Sequence, residues 1–477
     1  MRERDLFLRV LPDRASPGAL LTVEPSPSAE PSTTIGTEPA TAGLSLRLNF
    51  AWILAGNVVY AICQWGAIVA LAKLGSTFIV GQFSLGLAIS TPVLMLTNLQ
   101  LRAVQATDSR RLYSFAEYLR LRTALTLVGL AVIACVTSFG RYERQTVAVI
   151  LVVALAKGVE TLSDIHYGLF QLNDRLDQSG KSMMLRGLLA VAALATGLYL
   201  TRSVLWACCG LALVWLAALL LFDVRHGRRF AAGQPRLTEA AAPGRRWDLM
   251  RIALPLGIAT TMAALNLNMP RYFIQARLGE RQLGIYSALA YATVAIILVS
   301  DSLGHCAIPR LSRLYTGGRL PEFRSLLFRL LSAGSLLGLS GVVVVQLLGR
   351  RLLTLMYGTE YAAHFQIFLM LIMAAAIYCV ACMFTIAITS ARCFRIQVPL
   401  YTLIAGSNAL ACAHWVPSNG LAGGATAMLV AATVHFVLGA TVVGYLLRTK
   451  ERRPGAPGGL GQGLAMHLMA NALPTRS

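Results

Sequence analysis

The chain has 477 residues, of which 56% are hydrophobic and only 13% are charged, and its mean hydropathy is +0.63. This balance is typical of a polytopic membrane protein and argues against a soluble enzyme built around one core. The net charge of +21 does not indicate nucleic-acid binding, because most basic residues lie in the connectors between apolar segments.

Residues 1–45 differ in composition from the rest of the chain. They are rich in Pro, Ser, Thr and Glu and show no hydrophobic period, which predicts a disordered tail. The apolar run Leu6–Leu11 is too short and too charged for a signal peptide. The first membrane span is therefore expected to direct insertion itself.

From residue 46 onward the sequence predicts an all-α polytopic membrane protein with about twelve transmembrane helices. The predicted spans are 49–72, 79–101, 121–139, 146–171, 184–201, 204–222, 252–276, 284–307, 326–348, 364–390, 396–413 and 421–446.

The distribution of Lys and Arg predicts the orientation of these spans. The tails and the connectors after even-numbered spans hold 32 basic residues, whereas the connectors after odd-numbered spans hold eight. The positive-inside rule then places both termini in the cytoplasm.

The chain also divides into two similar halves. Residues 224–251 are rich in Gly, Pro, Ala and Arg and predict a cytoplasmic linker between six-helix bundles at 46–223 and 252–447, followed by a cytoplasmic tail at 448–477. The segment AKLGSTFIVGQFS at 72–84 matches ARLGERQLGIYS at 276–287 with one gap. Because both copies begin on the same side of the membrane, we expect parallel repeats.

Polar positions recur at corresponding places in the two halves. The alignment pairs Gln64 with Asn268 in the first span of each half, and Asn57 with Thr261. Beyond the gap it pairs Asn98 with Asp301, which makes Asp301 a candidate for coupling or charge balance.

The fourth span carries three charges on one helical face. Lys157, Glu160 and Asp164 are spaced i, i+3 and i+7 within an otherwise apolar run. Each charge at the helix centre costs about 3 kcal/mol in lipid, so the stripe must face protein or water. The stripe indicates that something polar runs through the bundle, and two carboxylates for one lysine leave one acid without a partner in this helix. The alternative is that Lys157 and Glu160 form an ion pair that only holds helices together.

The seventh span carries a second notable cation. Asn268, Arg271 and Gln275 follow Thr261 along one face, and Pro270 permits a kink. Either Arg271 extends to the headgroups on the far side of the membrane, or it lines a polar cavity with its neighbouring amides. The amides favour the cavity.

Signals for enzymes and metal sites are weak. QSGKS at 178–182 resembles the end of a phosphate-binding loop, but Arg175 stands where that loop needs glycine. Cys379 and Cys382 form a CxxC inside an apolar segment without neighbouring histidines, so no metal site is predicted. The sequence predicts no catalytic residues and no cofactor.

Several segments together resemble one transporter superfamily. They are GNVVYAICQWGAIVALAKLGSTFIVGQFSLGLAI, TNLQLRAVQATD, ETLSDIHYGLFQ, SMMLRGLL and PRLSRLY. Over about residues 46–447 the chain resembles the multidrug/oligosaccharidyl-lipid/polysaccharide (MOP) exporters, and within them the Wzx-type O-antigen and polysaccharide flippases of the bacterial inner membrane. The resemblance implies two six-helix bundles around a central cavity, in which a lipid-linked oligosaccharide is reoriented by alternating access.

The resemblance also implies a set of partners. Cationic groups in such a cavity would engage the diphosphate or acidic sugars of the substrate, with undecaprenyl diphosphate as the expected carrier. Membrane lipids and a polysaccharide polymerase complex are further candidate partners, and nucleic acid is not expected. The alternatives are a cation-coupled drug exporter of the same superfamily and a membrane-embedded enzyme or scaffold of polysaccharide assembly. The predicted substrate-binding residues are Lys157, Arg271, Asn57, Gln64 and Asn268, and the predicted coupling or charge-balancing residues are Glu160, Asp164 and Asp301.

Overall fold

The computed structural model describes residues 46–108, 113–140, 142–232, 245–391 and 393–452, and all regular secondary structure in these ranges is helical. In chain order the helices are α1 (Leu46–Leu74), α2 (Thr77–Asn98), α3 (Leu101–Thr107), α4 (Phe115–Phe139), α5 (Arg144–Leu172), α6 (Leu176–Thr201), α7 (Val204–Ala218), α8 (Arg225–Ala232), α9 (Arg245–Tyr291), α10 (Thr293–Thr316), α11 (Leu320–Met356), α12 (Thr359–Ala362), α13 (Phe365–Ser390) and α14 (Phe394–Arg452). A π-helical turn, Leu219–Val224, joins α7 to α8.

The two longest helices, α9 and α14, each reverse direction at a glycine. The guanidinium of Arg271 lies 5.7 Å from the ring of Tyr291, although twenty residues of straight helix span about 30 Å. The reversal occurs at Gly279, whose φ is 80°. Gly420, with φ 58°, reverses α14 in the same way. Glycine suits both positions because a side chain would strain the left-handed backbone.

The reversals account for the predicted number of spans. Within the described residues nine helices are long and apolar enough to cross a membrane, and the bent pair Gly257–Tyr291 and Ile296–Thr316 supplies a tenth. Twelve spans in the predicted order result when the two arms of α14 count as two spans, the first arm of α9 as one, and its second arm together with α10 as one. The predicted all-α polytopic fold is confirmed.

The helices form two bundles that meet along α2 and α9. In the first bundle α1 packs on α6, and α5 packs on α2, α4 and α7. In the second, α13 packs on α10, α11 and α14, and α14 packs on α9. Where α2 meets α9, a Cβ on Gly81 would lie 1.9 Å from the carbonyl oxygen of Glu280, and one on Gly284 would lie 1.7 Å from that of Thr77. Only glycine permits this approach.

We call the end of the assembly at which α1 begins and α14 ends the near end, and the opposite end the far end. Several helices extend beyond the predicted spans at the near end. Helix α4 begins at Phe115 rather than 121, because Ser114 and Glu117 form a capping box. Helix α6 begins at Leu176 rather than 184, and Gly180 within it packs against the backbone of Trp52.

The structure corrects the role of two basic residues. Arg122 and Arg186 belong to the 32 basic residues from which the orientation is predicted, but they lie inside α4 and α6 with 0% and 2% of their surface exposed. The predicted linker 224–251 is helical at 225–232 and 245–251, and 233–244 lie outside the described residues. The predicted tails lie outside them as well, except that α14 continues to Arg452.

Candidate functional site

A polar cavity runs from the near end into the assembly and consists of two adjoining chambers. The mouth chamber has a volume of about 890 Å³ and reaches the near-end corner at Gln100. The inner chamber, of about 330 Å³, lies between the bundles. Thr91 and Lys157 line both chambers, so Lys157 stands at the point where the chambers meet.

Lys157 and Glu160 form an ion pair at this junction. Both belong to α5, so their pairing does not itself join two helices. Tyr60 of α1 connects them to a second helix by donating a hydrogen bond to Glu160. The ammonium of Lys157 also faces the ring of Trp215 at 6.0 Å. The pair therefore forms part of the cavity wall and is tied to the surrounding helices.

Arg271 and Asn268 lie together in the inner chamber. The Nη1 group of Arg271 donates to Oδ1 of Asn268 at 2.6 Å, while its Nε is buried and has no hydrogen-bond partner among the described residues. Unlike Lys157, Arg271 has no carboxylate within ion-pair distance in the described part of the chain. This placement favours the cavity interpretation of Arg271 over an arginine that extends to the headgroups.

Three further predicted residues lie at different distances from the cavity. Gln64 lines the inner chamber, as does its repeat counterpart Asn268. Asn57 lies two turns earlier on α1, is partly exposed, and is not among the residues that line either chamber. Asp301 lies on α10, outside both linings, and its Oδ1 accepts a contact from the sulfur of Cys382 at 3.1 Å.

Asp164 lines the mouth chamber between two arginines. Arg102 approaches one carboxylate oxygen at 3.2 Å and Arg122 the other at 2.6 Å. Arg122 also donates to the carbonyl of Asn98 at 2.8 Å, just before Leu99 and Gln100, whose φ angles are 50° and 53°. Asp164 thus balances two cations and holds the corner between α2 and α3.

Sequence reasoning missed Arg102 as a residue of the cavity. It is the second residue of α3, lines the mouth chamber, and keeps 28% of its side chain exposed. Because it follows an apolar span directly, it was counted as a connector charge. The same reasoning missed Arg186, although apolar residues both precede and follow it in SMMLRGLL.

Contacts between the bundles close the cavity at its far end. Thr146 of α5 donates to Oε1 of Glu280 at 2.6 Å and accepts from Gln82 at 2.8 Å. Trp65 of α1 donates to the hydroxyl of Tyr357 at 2.7 Å. Among the described residues, the mouth chamber reaches the near end, and these contacts join the bundles at the far end.

A separate apolar pocket lies beside Trp65, between α1 and α10–α13. Its volume is about 290 Å³, and Ile296, Val345 and Phe368 contribute to its wall. Val344, on the same wall, keeps 48% of its surface exposed. The pocket is therefore open to the apolar outer surface of the helices.

Sequence comparison relates this chain to polysaccharide biosynthesis. Residues 46–315, more than half of the chain, match the profile of a family described as "Polysaccharide biosynthesis protein". The capsular polysaccharide biosynthesis protein CapF of Staphylococcus aureus is 25% identical over 317 residues, which cover 66% of this chain and 78% of CapF.

Structural comparison relates the fold to MOP transporters. The outward-facing conformation of a multidrug resistance MATE family transporter of the MOP superfamily has a TM-score of 0.59 at 14% identity, covering 85% of this chain and 96% of that one. A MOP superfamily transporter from Pyrococcus furiosus, described by the reverse polarity of its binding pocket, has a TM-score of 0.58 at 15% identity, covering 84% and 95%. At these identities the likeness shows the fold, and it is the fold expected from the sequence.

Proposed function

Because the chain belongs to the polysaccharide biosynthesis protein family, we propose that it is a flippase that moves a lipid-diphosphate-linked oligosaccharide across the bacterial inner membrane by alternating access. The observation that carries the proposal is a cavity whose mouth chamber reaches the near end, with cations at three depths along it: Arg102, Lys157 and Arg271. A charged, glycosylated headgroup cannot cross hydrocarbon unaided, because its desolvation costs too much.

The charge balance of the cavity fits an anionic headgroup. Arg102 and Lys157 already have the carboxylates of Asp164 and Glu160 as partners. Arg271, deepest of the three, is held by the neutral amide of Asn268. In this proposal a diphosphate or acidic sugar binds at Arg271, with Gln64 supplying a further hydrogen-bonding amide.

The apolar pocket beside Trp65 offers a place for part of the carrier lipid. It is lined by aliphatic and aromatic side chains and opens to the outer surface. The polyprenyl chain can occupy it while the headgroup stays in the polar cavity. Undecaprenyl diphosphate is the carrier that we propose, and a polysaccharide polymerase complex would receive the translocated unit.

The orientation of the basic residues gives the direction of loading. The positive-inside rule assigns the near end to the cytoplasm, so this conformation would load substrate where lipid-linked units are made. Translocation then requires that the far-end contacts Thr146–Glu280 and Trp65–Tyr357 break while the near end closes. A repeat-related rocking of the two bundles meets this requirement.

Deletion of the gene in its host tests this function. The deletion strain should accumulate lipid-linked oligosaccharide that periplasmic enzymes cannot reach, and it should lack the finished surface polymer. A drug exporter would leave the polymer intact and sensitise the cells to cationic dyes. A polymerase or scaffold would leave single units accessible on the outer leaflet. Accessible lipid-linked units at the normal rate would contradict the proposal.

Complementation with matched variants extends the test to the cavity. Arg271→Ala should restore little surface polymer, because it removes the cation without a carboxylate partner. Arg324→Ala serves as the control, since Arg324 lies outside both chambers and pairs with Glu451 on an exposed surface. Equal complementation by the two variants at equal membrane levels would exclude Arg271 from the binding site.

A further inference from the structure

A second polar cluster lies inside the first bundle, outside the linings of both chambers. Asp223 occupies the π-helical turn Leu219–Val224 and has 0% of its surface exposed. Within the described part of the chain, neither carboxyl oxygen makes a hydrogen bond. π-helical turns are rare and often mark functional positions.

The groups that face Asp223 come from α5 and α6. Helix α5 presents Ser163 and His166, and α6 presents Ser182 and Arg186. The hydroxyl groups of Ser163 and Ser182 lie close to the carboxyl group, but neither completes a hydrogen bond to it, and no ion pair joins Arg186 to it among the described residues. The hydroxyl of Tyr167, also on α5, is bonded to Ser182 at 2.8 Å.

The neighbouring helix α8 also carries charged and titratable residues. Its arginines Arg225, Arg228 and Arg229 are exposed, and its His226 is hydrogen-bonded to the carbonyl of Phe222.

This arrangement suits a neutral carboxylic acid better than a carboxylate. A buried carboxylate without a hydrogen bond or a paired cation is strongly destabilised, whereas the protonated group loses far less on leaving water. His166 adds a second group that can exchange a proton. Its Nδ1 lies 2.9 Å from the carbonyl of Leu162, which assigns the proton to Nδ1 and leaves Nε2 as an acceptor.

Arg186 connects this cluster to the wall of the cavity. Its Nη1 donates to Tyr167 at 3.5 Å, and its Nε and Nη2 have no partner among the described residues. The guanidinium stacks on the ring of Trp215 at 4.8 Å, the same ring that Lys157 faces. The charges of Arg186 and Glu160 also act on one another.

We propose that Asp223 is a proton-binding site and that Arg186 couples its occupation to that of the cavity. This coupling rests on the proposed function, because it assumes that the anionic ligand bound at Arg271 also contacts Lys157, which lines the same inner chamber. Such an anion would release Glu160 from Lys157, and Glu160 would then attract Arg186 away from Asp223. Asp223 would bind its proton more firmly, so anion and proton binding would favour each other reciprocally. The proton comes from water and leaves Asp223 uncharged.

Infrared spectroscopy on the purified full-length protein tests the proton site without substrate. The wild type should show the carbonyl stretch of a protonated carboxyl group at neutral pH, and Asp223→Asn should lack that component. Asp164→Asn is the matched control, since Asp164 forms ion pairs with two arginines. A wild-type spectrum without this component, or an Asp223→Asn spectrum that keeps it, would overturn the proposal.

The coupling has its own test, which also serves if Asp223→Asn does not fold. Glu160→Gln removes the charge that competes for Arg186, so it should move the pH midpoint of the Asp223 band downward, by roughly one pH unit for a single charge in a polar interior. Asp164→Asn should leave the midpoint in place. An unchanged midpoint in Glu160→Gln would refute the coupling. All of these measurements use the empty protein, so their failure is distinct from failure of the flippase proposal, which the deletion strain tests.

Discussion

Asp164→Ala should destabilise the protein strongly, because it leaves Arg122 charged and buried. The guanidinium of Arg122 has 0% exposure, and its only other partner among the described residues is the carbonyl of Asn98. Breaking a buried ion pair by removing one partner costs about 3–5 kcal/mol. The side chain of Asp164 is itself 25% exposed, so in the variant water can partly take its place beside Arg122. We therefore expect a loss at the lower end of this range, about 3 kcal/mol in the free energy of unfolding.

Arg102→Ala provides the comparison. This variant removes the second arginine that pairs with Asp164 and leaves the shorter contact to Arg122 in place. The side chain of Arg102 is 28% exposed. Pairs of this exposure contribute about 1 kcal/mol or less. The two variants should therefore differ by about 2 kcal/mol, a factor of about 30 in the folding equilibrium.

Denaturant titration in mixed micelles, followed by tryptophan fluorescence, measures this difference. Asp164→Asn separates the structural role from a coupling role, because its amide oxygen can still accept from Arg122. A stable Asp164→Asn protein that transports normally would exclude Asp164 as the coupling acid. If Asp164→Ala cost no more than Arg102→Ala, the reasoning about the buried guanidinium would be refuted.

Three other outcomes are expected. Lys157→Ala should impair transport in the complementation assay without preventing membrane insertion. The double variant Lys157→Ala, Glu160→Gln should recover part of the lost transport, because the second change removes the carboxylate that the first leaves unpaired. Gly81→Val should weaken closure of the far end, since a Cβ there would lie 1.9 Å from a backbone oxygen, and should increase cysteine labelling of the cavity from the periplasm. In a background without native cysteines, Thr201→Cys should react with an impermeant thiol reagent in intact cells and Thr316→Cys should not, because they lie at the far and near ends.

A specific experimental result would contradict each of these three predictions. Full transport by Lys157→Ala would leave the Lys157–Glu160 pair without a role in the cavity. Unchanged labelling in Gly81→Val would mean that the α2–α9 contact does not control access. Labelling of Thr316→Cys in place of Thr201→Cys would reverse the assigned orientation.

The sequence alone was sufficient for the fold class and for part of the cavity. Twelve apolar segments predict twelve spans because the hydrocarbon layer sets the length of each helix. The lysine and arginine at 157 and 271 stand out because charge is costly at membrane depth. The repeat alignment related Gln64 to Asn268, and both line the inner chamber. These features depend on local composition and spacing, which the linear sequence contains.

Only the tertiary structure decided which charges neutralise one another. Asp164 takes its partners from α3 and α4, 62 and 42 residues away along the chain. Arg122 and Arg186 looked like connector charges because they lie near the ends of apolar runs, and only packing shows that they are buried. Asp223 gave no signal, since it ends an apolar run where a connector was expected. Burial and pairing depend on which helices become neighbours, and the spacing of residues along one helix does not contain that information.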